Sequence, residues 1–365
     1  MKNVCFFDSV QFWGGGEKLH LEYALEFKKK DYKVIIIAKK NSSLYEKSIA
    51  NGLDVFKLTV RNLTFLNLFK IIELIVFYKK NKIDTVIFSA SHDLKLGSIS
   101  AKLAGVKKIV YLRGLAAPIK FSWINYVLFK YILTHIIANS EATKGCILQN
   151  LGKYIETEKV KTIYHGINTT ENNSNNKIAE ITDKGKGIIL GNAGRLTQQK
   201  GQKYLIEIAN ELKERKLDFT LFLAGTGELL EELEYLIEKN NLQKEVVLLG
   251  FVEDMDSFMN SIDIFLLTSI WEGFGYVLVE AMLKSKPIVA FDISSNPEIV
   301  TNNETGFLIE YPDLEMFVQK TQLLIEDRNI RIKLGENGLE TVLSRFNLRE
   351  RITEFEYYLL DKQFT

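Results

Sequence analysis

Short apolar runs alternate with amphipathic stretches along the whole chain. Val4 to Phe7, Val34 to Ala38, Val55 to Leu58, Thr85 to Ser89, Ile109 to Leu112 and Ile136 to Ala138 have the length and apolar content of buried strands. Between them Glu17 to Lys29, Leu66 to Tyr78, Lys95 to Ala104 and Glu141 to Asn150 carry apolar residues at helical spacing. Strands that are apolar along their length and separated by helices predict a parallel sheet covered on both faces. After Lys159 to Tyr164 the pattern breaks into the polar run Glu171-Asn172-Asn173-Ser174-Asn175-Asn176-Lys177, which predicts a linker. Alternation then restarts, with strands at Ile188 to Leu190, Thr220 to Ala224, Val246 to Leu249, Ile262 to Leu267 and Pro287 to Ala290. Helices are expected at Gln202 to Arg215, Leu229 to Asn240 and Val277 to Lys284, and the tail from Leu314 onward is helical throughout. The pattern therefore predicts an α/β protein of two doubly wound, Rossmann-like parallel-sheet domains, residues 1–168 and 187–345. A linker at 169–186 joins them, and a final helix in 346–365 is expected to return to the first domain. Ligands of such sheets bind outside the carboxyl ends of the strands. Two of them facing each other across a cleft would place the site in that cleft.

A chain of 365 residues with 46% hydrophobic and 25% charged residues has core material for both domains. The net charge of +1 offers no global field for nucleic acid. Cys5 and Cys146 lie in different elements, so neither a disulfide framework nor a metal site is expected, and a reducing compartment fits. The amino terminus enters a strand at once and reaches Asp8, without room for a secretory apolar region, and no run of about 18 apolar residues lacks charge. A cytoplasmic protein is expected. The segment Pro118 to Ala138, with Phe121, Trp123, Tyr126, Phe129 and Tyr131 beside Lys120 and Lys130, reads as a buried helix followed by a strand. Its other reading is a face in peripheral contact with the inner membrane surface.

Candidate chemistry concentrates at strand ends. Thr268 to Glu280 runs from a strand through the turn Glu272-Gly273-Phe274-Gly275 into a helix. The free N–H groups of a helix N-terminus suit an anion or a set of hydroxyls, and glycine lets a ligand approach the main chain. Glu272 and Glu280 either grip two parts of one ligand or serve as a dipole-compensating acid and a surface acid. The loop after the second domain's first strand carries Arg195 and Lys200, a planar fork and a compact cation that together suit a diphosphate; solvated surface cations are the alternative. Gly14-Gly15-Gly16 precedes a helix as a phosphate-accommodating or merely flexible turn. It lacks the spaced glycines of a dinucleotide fold, and Lys39-Lys40 stands where such a fold needs an acid. Asp254-Met255-Asp256 resembles a metal-binding pair, yet sits where acids cap the next helix. Of the four histidines, His92 follows a strand and is the one worth testing, although a satisfied loop histidine explains it as well.

Taken in order, Gly194-Arg195-Leu196 with Lys200-Gly201, Ala224-Gly225-Thr226-Gly227, Leu249-Gly250-Phe251-Val252, the Glu-Gly-Phe-Gly turn with its second Glu eight residues on, Lys286-Pro287-Ile288-Val289-Ala290 and Thr305-Gly306-Phe307-Leu308 resemble the retaining GT-B glycosyltransferases of the "glycosyl transferases group 1" family. The resemblance implies a GT-B fold and transfer of a sugar from a nucleoside diphosphate sugar, UDP- or GDP-linked, to a glycan or lipid-linked acceptor. It needs no cofactor beyond that co-substrate and no metal, because Arg195 and Lys200 would neutralise the departing phosphate. It implies donor contacts at Gly15, Gly16, Gly225, Phe251, Val252, Gly273, Phe274, Gly275 and Glu280, with Glu272 on a sugar hydroxyl. Arg113 stands where many relatives carry histidine, which points it, with His92, to the acceptor side. A nucleotide-sugar epimerase or phosphorylase of the same architecture and a non-catalytic two-lobed sugar-binding protein are the alternative readings.

Overall fold

The computed structural model describes residues 3–169 and 176–360, so the polar run from Glu171 to Asn175 lies outside the described residues. The chain divides into two compact units. One runs to Gly166 and takes up the segment from Arg349 onward; the other spans Ile167–Leu348.

The N-terminal unit runs β1 (Asn3–Asp8), α1 (Gly15–Lys29), β2 (Lys33–Ala38), α2 (Ser43–Ala50), β3 (Asp54–Lys57), α3 (Leu68–Lys80), β4 (Thr85–Phe88), α4 (Ser91–Ala104), β5 (Lys108–Arg113), α5 (Trp123–Val127), β6 (His135–Ala138), α6 (Glu141–Leu151) and β7 (Val160–Thr162). Its seven strands are all parallel, in the order β3-β2-β1-β4-β5-β6-β7. One face of the sheet buries Cys5, Phe7, Ile37, Val86, Phe88 and Tyr111 beneath α3 and α4. The helices start where a polar side chain takes over an otherwise orphaned amide. Asn67 accepts from Lys70 N–H at 3.2 Å ahead of α3, and Ser140 from Thr143 N–H at 3.0 Å ahead of α6.

The C-terminal unit runs α7 (Ala179–Lys184), β8 (Ile188–Ala193), α8 (Gln202–Glu214), β9 (Phe219–Ala224), α9 (Leu230–Lys239), β10 (Val246–Gly250), α10 (Met255–Ser261), β11 (Ile264–Leu267), α11 (Tyr276–Leu283), β12 (Ile288–Phe291), α12 (Asn296–Ile299), β13 (Gly306–Ile309), α13 (Leu314–Glu326) and α14 (Arg328–Arg345). Six parallel strands take the order β10-β9-β8-β11-β12-β13. The last helix, α15 (Leu348–Leu359), belongs to the N-terminal unit for most of its length. There Phe355 sets its ring edge-on to Tyr23 and Phe27 at 5.2 and 6.1 Å, and Lys30 reaches Glu356 at 2.6 Å.

Three local expectations change. Helix α2 has only Leu44 and Ser48 buried, too faint an apolar stripe to read from spacing. Helix α4 begins four residues before Lys95, which puts His92 in a helical first turn instead of a loop. Pro118 to Ala138 does not begin with a buried helix: α5 has no buried residue, Trp123 is 72% exposed, and only Leu128 and Phe129 of the following wide turn go inside. Aromatic content alone had suggested burial, but Phe121, Tyr126 and Tyr154 stack on one another at the surface instead. No helix of the described residues is long and apolar enough to cross a membrane.

Candidate active site

In the C-terminal unit the strand order reverses between β8 and β11, and the crevice beyond the carboxyl ends of such a pair is where ligands of this architecture bind. The loop after β8 and the loop after β11 are stitched together there. Ile270 N–H donates to Gln199 O at 2.8 Å, Gln199 Nε2 to Trp271 O at 3.0 Å, and Thr268 Oγ1 to Gly201 O at 3.0 Å. The stitching brings Lys200 Nζ to 2.6 Å from Glu272 Oε1, and Ser269 Oγ donates to the same oxygen at 2.6 Å. Glu272 is only 5% exposed, and its Oε2 has no partner among the described residues. A pair so enclosed is not a surface ornament: removing one member strands the other, at a cost of about 3–5 kcal/mol. Arg195 leaves the same loop, held by Gln202 Nε2 on its carbonyl at 3.0 Å, and its exposed guanidinium has no acceptor among the described residues.

The glycines here have two different jobs. A Cβ on Gly225, whose φ is +146°, would stand 1.9 Å from Gly194 O, and one on Gly201, at φ +60°, would stand 2.2 Å from Thr268 O. Both let main chain meet main chain under the loops that hold Arg195 and Lys200. A Cβ on Gly15 or Gly16, by contrast, meets nothing within 4 Å, so packing does not require glycine there. Helix α11 opens at Tyr276, which puts Glu280 one turn into it, since residues 273–275 are not helical. Phe274 is buried, its ring 5.8 Å from that of Phe346. Asn296 donates from Nδ2 to Phe291 O at 2.9 Å, while its buried Oδ1 has no partner and would lie 3.3 Å from a Cβ on Gly275. Phe251 is exposed and Val252 half-buried just past β10. Asp254 is an N-cap: it accepts from Ser257 N–H at 3.0 Å and Ser257 Oγ at 2.6 Å, and those bonds hold its carboxyl below the usual range.

In the N-terminal unit the order reverses between β1 and β4, where a different set of groups collects. Ser9, just past β1, donates from N–H and Oγ to the two oxygens of Asp93 at 2.7 and 2.6 Å, and its Oγ lies 3.0 Å from His92 Nε2. Asp8 accepts from Val10 N–H at 2.9 Å and from Ser89 Oγ. Burial pushes the Asp93 carboxyl up to about 8; the bonds from Ser9 oppose the rise and the charge of Asp8 adds to it. Burial likewise lowers His92 against the pull of Asp8, so its imidazole is neutral at neutral pH. Arg113, at the end of β5, is buried and bonds only neutral oxygens: Ser91 Oγ at 3.2 Å, Tyr111 Oη at 3.1 Å and Ala117 O at 3.1 Å. Its Nε has no partner, and no carboxylate pairs with it among the described residues.

Sequence reasoning singled out Arg195, Lys200 and Glu272, and the structure brings the last two into one ion pair. It missed Ser269, and it missed the Ser9–Asp93 contact altogether. The available signal for that contact was an acid closing the first strand and a Ser-His-Asp triplet, residues 91–93, opening a helix.

The profile of the family described as "Glycosyl transferases group 1" matches residues 173–341, and that described as "Glycosyl transferase 4-like" matches residues 4–143. The UDP-Gal:alpha-D-GlcNAc-diphosphoundecaprenol alpha-1,3-galactosyltransferase of Escherichia coli is 27% identical over 319 residues, 82% of this chain and 81% of that protein. The capsular polysaccharide biosynthesis glycosyltransferase CapM of Staphylococcus aureus is 27% identical over 78% of each chain. Among solved structures, Anabaena HepE in complex with UDP and glucose is 22% identical and superposes with a TM-score of 0.85 over 99% of this chain and 100% of its own.

Proposed function

We propose, for a chain that belongs to the glycosyl transferases group 1 family, that it moves a hexose-like unit from a UDP- or GDP-linked sugar to a hydroxyl of a cell-surface glycan or lipid-linked acceptor, retaining the anomeric configuration. That it is a nucleotide-sugar glycosyltransferase follows from the family. The finer reading rests on one observation, the buried Lys200–Glu272 pair at the β8/β11 reversal with Arg195 unpartnered on the same loop. A uridine nucleotide in the Escherichia coli relative's reaction and in the Anabaena structure favours UDP, and the polyprenyl-linked substrate of the former favours a lipid-linked acceptor.

In this reading the donor's diphosphate lies against Arg195 and Lys200. As the bond to the anomeric carbon breaks, negative charge grows on the β-phosphate, and two fixed cations stabilise it in the transition state. Lys200 cannot be neutralised by Glu272 and serve the phosphate fully at once. Donor binding therefore loosens that pair and frees Glu272, whose Oε2 is already unengaged, to accept from a sugar hydroxyl. The main chain at Gly273, Phe274 and Gly275 with Glu280 completes the donor side, along with Gly225, Phe251 and Val252. Gly15 and Gly16 leave open space for a ligand at the start of α1. On the acceptor side we place His92 and Arg113; a buried guanidinium with only neutral partners is suited to an anion such as an acceptor phosphate.

The experiment incubates purified protein with a panel of UDP- and GDP-sugars, with and without polyprenyl-diphosphate-linked sugars. The expected result is acceptor-dependent release of the nucleoside diphosphate with an α-linked product from an α-linked donor. Epimerisation or hydrolysis that ignores the acceptor would move the protein to an epimerase reading. Donor binding without turnover, unchanged in Glu272→Ala, would make it a binding protein.

A further inference from the structure

Helix α3 is apolar on two opposite sides. Leu74, Phe77 and Tyr78 face inward and are buried, while Leu68, Phe69, Ile72 and Val76 fall within an arc of roughly 100° on the other side and are exposed, Phe69 at 84%. Leu63 and Leu66, from the turn just before the helix, are about 70% exposed and extend the same stretch. Apolar surface in soluble proteins is normally scattered, and a contiguous patch marks a contact surface. The distribution between units is uneven as well. Among the described residues, fifteen of the twenty large exposed hydrophobic side chains belong to the N-terminal unit.

Charge identifies what covers the patch. The net charge of +1 hides a division: the N-terminal unit has 29 Lys and Arg against 17 Asp and Glu, a net of +12, and the C-terminal unit 18 against 29, a net of −11. At the patch itself Arg61 precedes the exposed leucines and Lys79 and Lys80 close the helix, all three exposed and without an acidic partner among the described residues. An apolar helical stripe flanked by unpaired cations matches a surface with an apolar interior and anionic headgroups. We propose that the N-terminal unit seats on an anionic lipid surface through the outward side of α3 and the turn before it. Phe69 and Ile72 enter the acyl boundary, and Arg61, Lys79 and Lys80 meet the phosphates.

The test is co-sedimentation of the full chain with vesicles of phosphatidylcholine alone and of phosphatidylcholine with phosphatidylglycerol. No sugar donor is present, so the result is independent of the proposed reaction. The protein should pellet with the anionic vesicles and be released by salt. Phe69→Ser with Ile72→Ser should weaken binding on the order of tenfold or more, and Lys79→Glu with Lys80→Glu should abolish the preference for anionic lipid. These side chains are exposed, so circular dichroism and the melting midpoint should stay as in the parent. Tyr235→Ser, which alters an exposed aromatic of the acidic unit, should leave binding unchanged. Equal binding by parent and Phe69→Ser/Ile72→Ser, or no vesicle binding at all, overturns the proposal. So does a concentration-dependent dimer abolished by the same pair of substitutions, since a second copy would then be what covers the patch.

Discussion

The two units share a strand plan and the place where it reverses, yet they put different chemistry there. Beyond β8 and β11 stands a charged pair held by loops whose main chains touch, with Lys200 on Glu272 at 2.6 Å and a neighbouring arginine left outward. Beyond β1 and β4 stand two carboxyl groups, a neutral imidazole and a serine that bonds Asp93 and His92, with a buried arginine at β5 facing only neutral oxygens. The first arrangement sets an enclosed lysine–glutamate pair and an unpaired arginine on adjoining loops. The second is a largely buried hydrogen-bonded cluster centred on Ser9. The same architecture thus carries an ion pair in one unit and a hydrogen-bonded cluster in the other, because fold sets where a site lies and side chains set what it does.

The sharpest way to break that comparison is to remove the cations. Arg195→Ala and Lys200→Ala should each lower turnover by on the order of 100-fold or more. His92→Ala should lower it by only about tenfold, with the loss concentrated in the acceptor's KM. Initial rates with donor and acceptor varied separately decide it, and equal losses in kcat for both units would erase the distinction.

Next in size is the contrast between glycines. Gly225→Ala forces a Cβ into a carbonyl oxygen at a φ that alanine rarely adopts, and should cost about 2–3 kcal/mol in urea denaturation. Gly16→Ala points into open space and should change stability by less than about 0.5 kcal/mol while weakening donor binding.

The smallest effect concerns protons. Asp93, at about 8, keeps a proton that the unfolded chain has lost above the ordinary carboxylate range near 4. Its contribution is therefore full below about pH 4 and falls as pH rises to about 8. His165, pulled down to about 3 by burial and by neighbouring His20, acts in the opposite sense. The unfolded chain takes a proton below about 6.5 and the folded chain does not, so stability falls as pH drops from there toward 3. Hydrogen exchange read segment by segment across this pH range should show both slopes in the N-terminal unit, with Asp93→Asn flattening the first and His165→Gln the second.

The legibility of the two sites in sequence follows from how each is assembled. Arg195, Lys200 and Glu272 sit in loops with glycines at fixed offsets, and the constraint that required glycine is local enough to leave a readable pattern. The contact between Ser9 and Asp93 joins residues 84 positions apart, so the acid closing the first strand and the Ser-His-Asp triplet do not announce that they meet. Arg113 was legible as unusual but not as buried, because burial depends on Tyr111 and Ser91 closing over it. Alternation of strands and helices was readable for most of the apolar strands, although the short β13 went unread. It missed α2, and at α5 it gave a helix but wrongly a buried one, because little side-chain surface goes inside at either.

The ring of Phe355, wedged edge-on between Tyr23 and Phe27, also sets a schedule for synthesis. Tyr23 and Phe27 cannot finish packing until Phe355, roughly 330 positions later in the chain, has been added. The second unit can close first even though it is translated later, and the first must wait with a hydrophobic gap open. A product that stops short of Phe355 would therefore expose the rings of Tyr23 and Phe27, marking it for chaperones and proteases.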